Sequence, residues 1–174
     1  TGANNTAIGR AALFTNNGNN NTGVGYHSLR LNTTGGSNVA VGYQALNANT
    51  TASNNVGLGF QALLANTTGT RNTAVGSLSL DANTTGSFNT TIGYTSLGSN
   101  TTGTENAAFG DASLNQNTTG TNNTGFGTST LQSNTTASNN TAVGKSALTS
   151  NTTGTQNTAV GALALDANTT GDNN

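Results

Sequence analysis

The stretch Asn38-Val39-Ala40-Val41-Gly42-Tyr43-Gln44-Ala45-Leu46-Asn47-Ala48-Asn49-Thr50-Thr51-Ala52-Ser53-Asn54 is one complete unit of this chain, and Asn55 begins the next. Its glycine returns every 17 residues, at Gly25, Gly42, Gly59, Gly76, Gly93, Gly110, Gly127, Gly144 and Gly161, with Gly9 starting the series one residue short. A fixed period of this size marks a repeat array, so residues 1–174 read as a single tandem array of about ten units. The chain starts and stops inside a repeat, as expected of a segment cut from a longer fibre.

Working outward from the glycine, three further columns are constant. The fourth residue on is always leucine, from Leu13 and Leu29 to Leu148 and Leu165. The seventh is always asparagine (Asn32, Asn49, Asn66, Asn83, Asn100), and so is the thirteenth (Asn38, Asn55, Asn72, Asn89). The residue before the glycine is apolar throughout: Ile8, Val24, Val41, Leu58, Val75, Ile92, Phe109, Phe126, Val143 or Val160. Low charge with much Gly, Asn, Thr and Ser is a composition of disordered tracts. A disordered tract has no reason to hold these columns in register, so an ordered fold is expected.

Thr, Val, Asn and Gly are poor helix formers, and the apolar positions lack helical spacing. Asn-Val-Ala-Val-Gly alternates as a short strand does, whereas Asn-Thr-Thr-Gly-Ser is turn chemistry. The expectation is an all-β parallel β-solenoid or β-roll, one coil per 17-residue repeat, rising about 4.8 Å per coil to about 48 Å over ten coils. Identical side chains then lie above one another. Leu46, Leu63 and Leu80 form one expected ladder, Asn49, Asn66 and Asn83 a second, and Asn55 and Asn72 a third, with Gly42, Gly59 and Gly76 at the bend. An amide can donate and accept along such an axis.

One Leu and one Val or Ile per coil is a thin interior, which leads the sequence reading to partner chains. The residue before each Leu is small (Ala12, Ser28, Ala45, Ala62 and onward), and so is the residue before each Val (Ala40, Gly57, Ala74, Thr91). Neighbouring strand residues point to opposite faces. Two restricted columns are therefore read as one face inside the coil and one against a sister chain, in a homotrimer; the alternative is a kinked backbone that needs small residues.

The recurring Asn38-Val39-Ala40-Val41-Gly42-Tyr43-Gln44-Ala45-Leu46 resembles the head repeats of trimeric autotransporter adhesins, and is similar to repeats of phage-type tail fibres and bacterial surface fibres. The resemblance spans the chain through a motif of a few residues. It implies a left-handed trimeric parallel β-roll displayed outside the cell or on a virion surface and used for attachment. Its partners would be the chain itself, as a trimer or an end-to-end filament, and a carbohydrate or cell-surface ligand. The unit of 17 residues is longer than that family's, the additional part being the Asn-Thr-Thr segment.

A longer period overlies the short one. Leu80-Asp81-Ala82-Asn83-Thr84-Thr85-Gly86 returns as Leu165-Asp166-Ala167-Asn168-Thr169-Thr170-Gly171, five units later. Copying in blocks suits an extendable shaft better than one tuned site.

No catalytic set is visible, and no enzyme, cofactor or metal is expected. His27 is the single histidine, and Asp81, Glu105, Asp111, Asp166 and Asp172 are dispersed over variable columns. Paired-carboxylate chemistry and a calcium-binding β-roll both need acids in register. Gly23-Val24-Gly25 belongs to the repeat and is no phosphate loop. Four Lys and Arg in a chain of formal net charge −1 make no basic stripe for nucleic acid or an anionic membrane, and no apolar run spans a bilayer. Without cysteine, the redox compartment is not legible.

Asn-Thr-Thr is an N-glycosylation pattern in nearly every unit, which makes Asn32 and Asn100 candidate acceptors. Thr50, Thr51, Thr67, Thr68, Thr84 and Thr85 are candidate O-linked sites. N-glycans about 4.8 Å apart would crowd, which favours the threonines. Thr68-Gly69-Thr70 and its equivalents raise a further alternative, an ice-binding solenoid using threonine arrays. The main expectation is a structural or adhesive extracellular fibre without enzymatic activity, and the alternative is a glycan-coated or ice-binding filament.

Overall fold

The computed structural model describes residues 2–174. Ten strands, β1 (Thr6–Ile8), β2 (Thr22–Val24), β3 (Val39–Val41), β4 (Val56–Leu58), β5 (Thr73–Val75), β6 (Thr90–Ile92), β7 (Ala107–Phe109), β8 (Thr124–Phe126), β9 (Thr141–Val143) and β10 (Thr158–Val160), form one parallel sheet in sequence order. Each strand is three residues long and pairs one repeat on, as in Thr73↔Thr90, Ala74↔Thr91 and Val75↔Ile92. The chain is thus an all-β parallel solenoid with one coil per unit. The short first unit pairs Thr6↔Thr22 in the same column, since its missing residue falls in the turn, where Asn17 stands alone in place of two threonines.

The glycine ends each strand because no other residue fits. Gly76 has φ +133°, and a Cβ there would run into the backbone carbonyl of Gly93 in the next coil. Past it the chain turns through residues at positive φ that are not glycine: Leu78 at 55° and Leu80 at 54°, repeated at Gln61 and Leu63 and along the array. Each left-handed L-residue costs about 1–2 kcal/mol. The return is a two-way ladder. The Gln44 N–H donates back to the Tyr26 carbonyl (2.9 Å), and the Leu46 N–H donates forward to the Ala62 carbonyl (3.0 Å).

The interior is narrow. The leucines of the constant column, from Leu29 to Leu148, are fully buried, together with Ala40, Ala74, Ala108 and Ala142 at strand centres and Ala45, Ala62 and Ala147 before the leucines. These two small columns line the same cavity. The Ser79 hydroxyl lies 2.6 Å from the Thr91 hydroxyl, and the Ser96 hydroxyl donates to the Ala108 carbonyl (2.9 Å). At Gly57 a Cβ would sit 3.4 Å from Leu46 Cγ, so leucine already fills the space opposite each strand centre.

This corrects the expectation that one small column faces a sister chain and that the Val column lies inside. A strand centre turned inward sends its two neighbours outward. Leu58, Ile92 and Phe126 are exposed, and Val24, Val41 and Val75 are partly so.

Candidate functional surfaces

Two asparagine ladders run through the coil and meet at one carbonyl per turn. Asn83 Nδ2 donates to Asn66 Oδ1 (2.8 Å) and to the Gly86 carbonyl (2.9 Å), and Asn83 Oδ1 accepts from Asn100 Nδ2 (2.8 Å). In the other ladder the Asn72 N–H donates to Asn55 Oδ1 (2.9 Å), and Asn72 Nδ2 donates to the same Gly86 carbonyl (2.8 Å). Asn49 and Asn66 repeat the first pattern. Asn55 repeats the second. A glycine at the shared carbonyl follows from the crowding, because a Cβ on Gly86 would collide with Asn83 Oδ1 and the Gly103 carbonyl. Among the described residues every buried side-chain nitrogen and oxygen has a partner.

Burial also separates the glycosylation candidates. Asn32 and Asn100 are fully enclosed, and each amide group donates both to the preceding ladder asparagine and to its own turn. No amide remains for a sugar in the folded coil, so these two residues are corrected to ladder residues. The threonines divide into two kinds. Thr50, Thr67 and Thr84 are half-buried, with hydroxyls donating to the next coil's carbonyl (3.2, 3.0 and 3.0 Å). Thr51, Thr68 and Thr85 are exposed and belong to a column that is threonine in every unit from Thr34 to Thr170. In Thr68-Gly69-Thr70 the glycine is buried, Thr68 is exposed and Thr70 is half-buried, and the Thr70 column is mixed. There Ser53, Ser87 and Ser138 accept bonds from the preceding coil's N–H, which breaks the array as a uniform face.

The dispersed ionisable residues do not converge. Among the described residues there is no group of three or more His, Cys, Asp or Glu that could hold a metal, and no helix is long and apolar enough to cross a membrane. Arg10, Ala11, Phe14, His27 and Arg30 line a shallow cleft of about 370 Å³ on the first two coils. His27 stacks on Tyr26 (3.8 Å), and Arg10 lies over the same Tyr26 ring (5.7 Å). Partial loss of hydration, then the Arg30 and Arg10 charges, hold the His27 pKa below its ordinary value.

What the sequence reading missed on the outer side of the sheet is the apolar column that ends each strand. Every strand ends in a large apolar residue that points away from the coil, and the next outward column adds a ladder of Tyr26, Tyr43 and Phe60 with centroids 5.2 and 5.4 Å apart. The signal was present in the alternation of Val39, Ala40 and Val41, which reads as two residues on one side and one on the other. Alternation alone does not say which side is inside. No family model, no curated protein and no solved structure matches this chain.

Proposed function

We propose that this chain is a length of extracellular, non-enzymatic fibre shaft on a cell or virion surface, homotrimeric, with a structural or adhesive role. The observation that carries the reading is the pair of asparagine ladders. Each coil passes its inward polar groups to the next one, so a fold of this kind is extended by adding coils rather than by completing a site. Block duplication at five units fits a molecule selected for length. The repeat motif's likeness to adhesin heads and tail fibres supports an attachment role, with carbohydrate or another cell-surface group as the ligand.

Light scattering on the purified chain tests the assembly. A mass three times the 17.2 kDa chain is expected, and a monomer overturns the trimer. A second reading, a glycan-coated filament, is favoured by the exposed threonine column with hydroxyls left to solvent. Intact mass of the native protein separates the two, since a coat adds a ladder of hexose masses and a bare shaft adds none. Ice faceting by the purified shaft would move the reading to an ice-binding filament.

A further inference from the structure

We infer that the outer face of the ten-stranded sheet is the surface through which copies of this chain pack on one another. The inference rests on the self-associating shaft proposed above and names the face responsible. Val41, Leu58, Val75, Ile92, Phe109 and Phe126 form an unbroken line along successive coils, with Leu58 and Ile92 each 44 % exposed and Phe126 57 %. Contiguous apolar surface of this kind marks an interaction site rather than scattered exposure.

Three properties select a second copy as the occupant. The first is period. A partner must offer an apolar residue at every coil step over the whole length, and a chain with the same 17-residue unit does this in register. The second is charge. The outward strand columns, such as Thr73 with Val75 and Thr90 with Ile92, carry none, and the Tyr26 column beyond them carries only Arg10, Asp111 and Lys145 over ten coils, so two identical faces meet with little like-charge repulsion or desolvation of ions. The third is area. Ten coils at about 4.8 Å, by four residue steps from the Thr22 column to the Tyr26 column at about 3.3 Å, give on the order of 600 Å². That approaches the ~800 Å² per partner of a standard stable interface. Because the apolar line runs between the Thr22 column on one side and the Tyr26 column on the other, parallel copies turned toward a common axis cover it.

The test compares three proteins by light scattering and far-UV circular dichroism: the wild-type chain, a stripe variant (Val75→Thr, Ile92→Thr, Phe109→Thr) and a control (Thr68→Lys, Thr85→Lys, Thr102→Lys) on the exposed threonine column. Threonine keeps strand propensity, so the stripe variant should retain its β spectrum. The expected result is an oligomer for wild type and control, with the stripe variant falling to the 17.2 kDa monomer. An oligomeric wild type whose stripe variant stays equally associated overturns this face while leaving self-association standing. A monomeric wild type overturns both. Single cysteines give a reading independent of any loss of folding, since the chain contains none. Val75→Cys should form a covalent dimer under air oxidation and Thr85→Cys should not; the reverse pattern refutes the assignment.

Discussion

Replacing Asn83 by leucine removes one rung from the middle of a ladder and keeps the branched shape of the side chain. Three hydrogen bonds go: the two that Asn83 Nδ2 donates to Asn66 Oδ1 and the Gly86 carbonyl, and the one that Asn83 Oδ1 accepts from Asn100 Nδ2. At about 1 kcal/mol net each, that is about 3 kcal/mol. The damage at the partners is unequal. The Gly86 carbonyl still accepts from Asn72, and Asn100 still donates to Gly103, but one Asn100 proton and the Asn66 Oδ1 acceptor are left unpaired in a site closed to water. Two orphaned buried groups add about 1–3 kcal/mol each, so the expected loss is about 5–9 kcal/mol.

Urea denaturation followed by circular dichroism reads this loss, with the exposed Thr85→Ala as a control expected within about 0.5 kcal/mol of wild type. Asn83→Asp sharpens the test. A buried carboxylate cannot donate to Asn66 or Gly86, and burial raises its folded-state pKa above the unfolded value. That variant should therefore be most stable at low pH and lose stability as pH rises through the folded pKa. A loss below about 1 kcal/mol for Asn83→Leu, or an Asn83→Asp variant indifferent to pH, would refute the claim that the ladder holds the coils together.

Gly76→Ala places a side chain at φ +133° against the Gly93 carbonyl, and should cost at least about 2 kcal/mol in the same denaturation assay, where a change within error would count against the bend. Asp81 is partly buried, which raises its pKa against the opposing bonds from its own and the Ala82 N–H. The sign follows: its contribution is complete below the unfolded pKa and declines as pH rises through the folded one. Asp81→Asn should remove that pH dependence and add about 1 kcal/mol at neutral pH in thermal melts, by donating to the preceding coil as Asn47 does to the His27 carbonyl (3.0 Å) and Asn115 to the Thr95 carbonyl (2.9 Å). His27, beside Tyr26 and facing Arg30 and Arg10, should titrate by NMR below the ordinary histidine value, and Arg30→Gln should raise its midpoint; an unchanged midpoint would exclude the charge effect.

Column constancy made much of the interior legible. Stacking sets residue n above residue n−17, so a position whose side chain must bond to its own copy can change only with the whole column. Asn49, Asn66 and Asn83 were readable for that reason, as were Leu46, Leu63 and Leu80. The exposed threonine column was equally visible as a constant, but constancy does not reveal exposure. Thr50 and Thr51 look alike in the sequence, yet only Thr50 spends its hydroxyl on the next coil.

By itself, the sequence determined the coil length, the parallel stacking and the identity of the ladders, because these depend on period and on side chains repeating their own chemistry. The tertiary structure decided which way each strand faces. Leu46 and its equivalents adopt left-handed backbone at φ near 50°, a conformation that leucine does not advertise, and they fill the space that the Val column was expected to occupy. With the interior closed by leucine against strand-centre Ala and Gly, the valines, isoleucines and phenylalanines have nowhere to go but out. A column that reads locally as core therefore becomes an exposed apolar line along the outer side of the sheet.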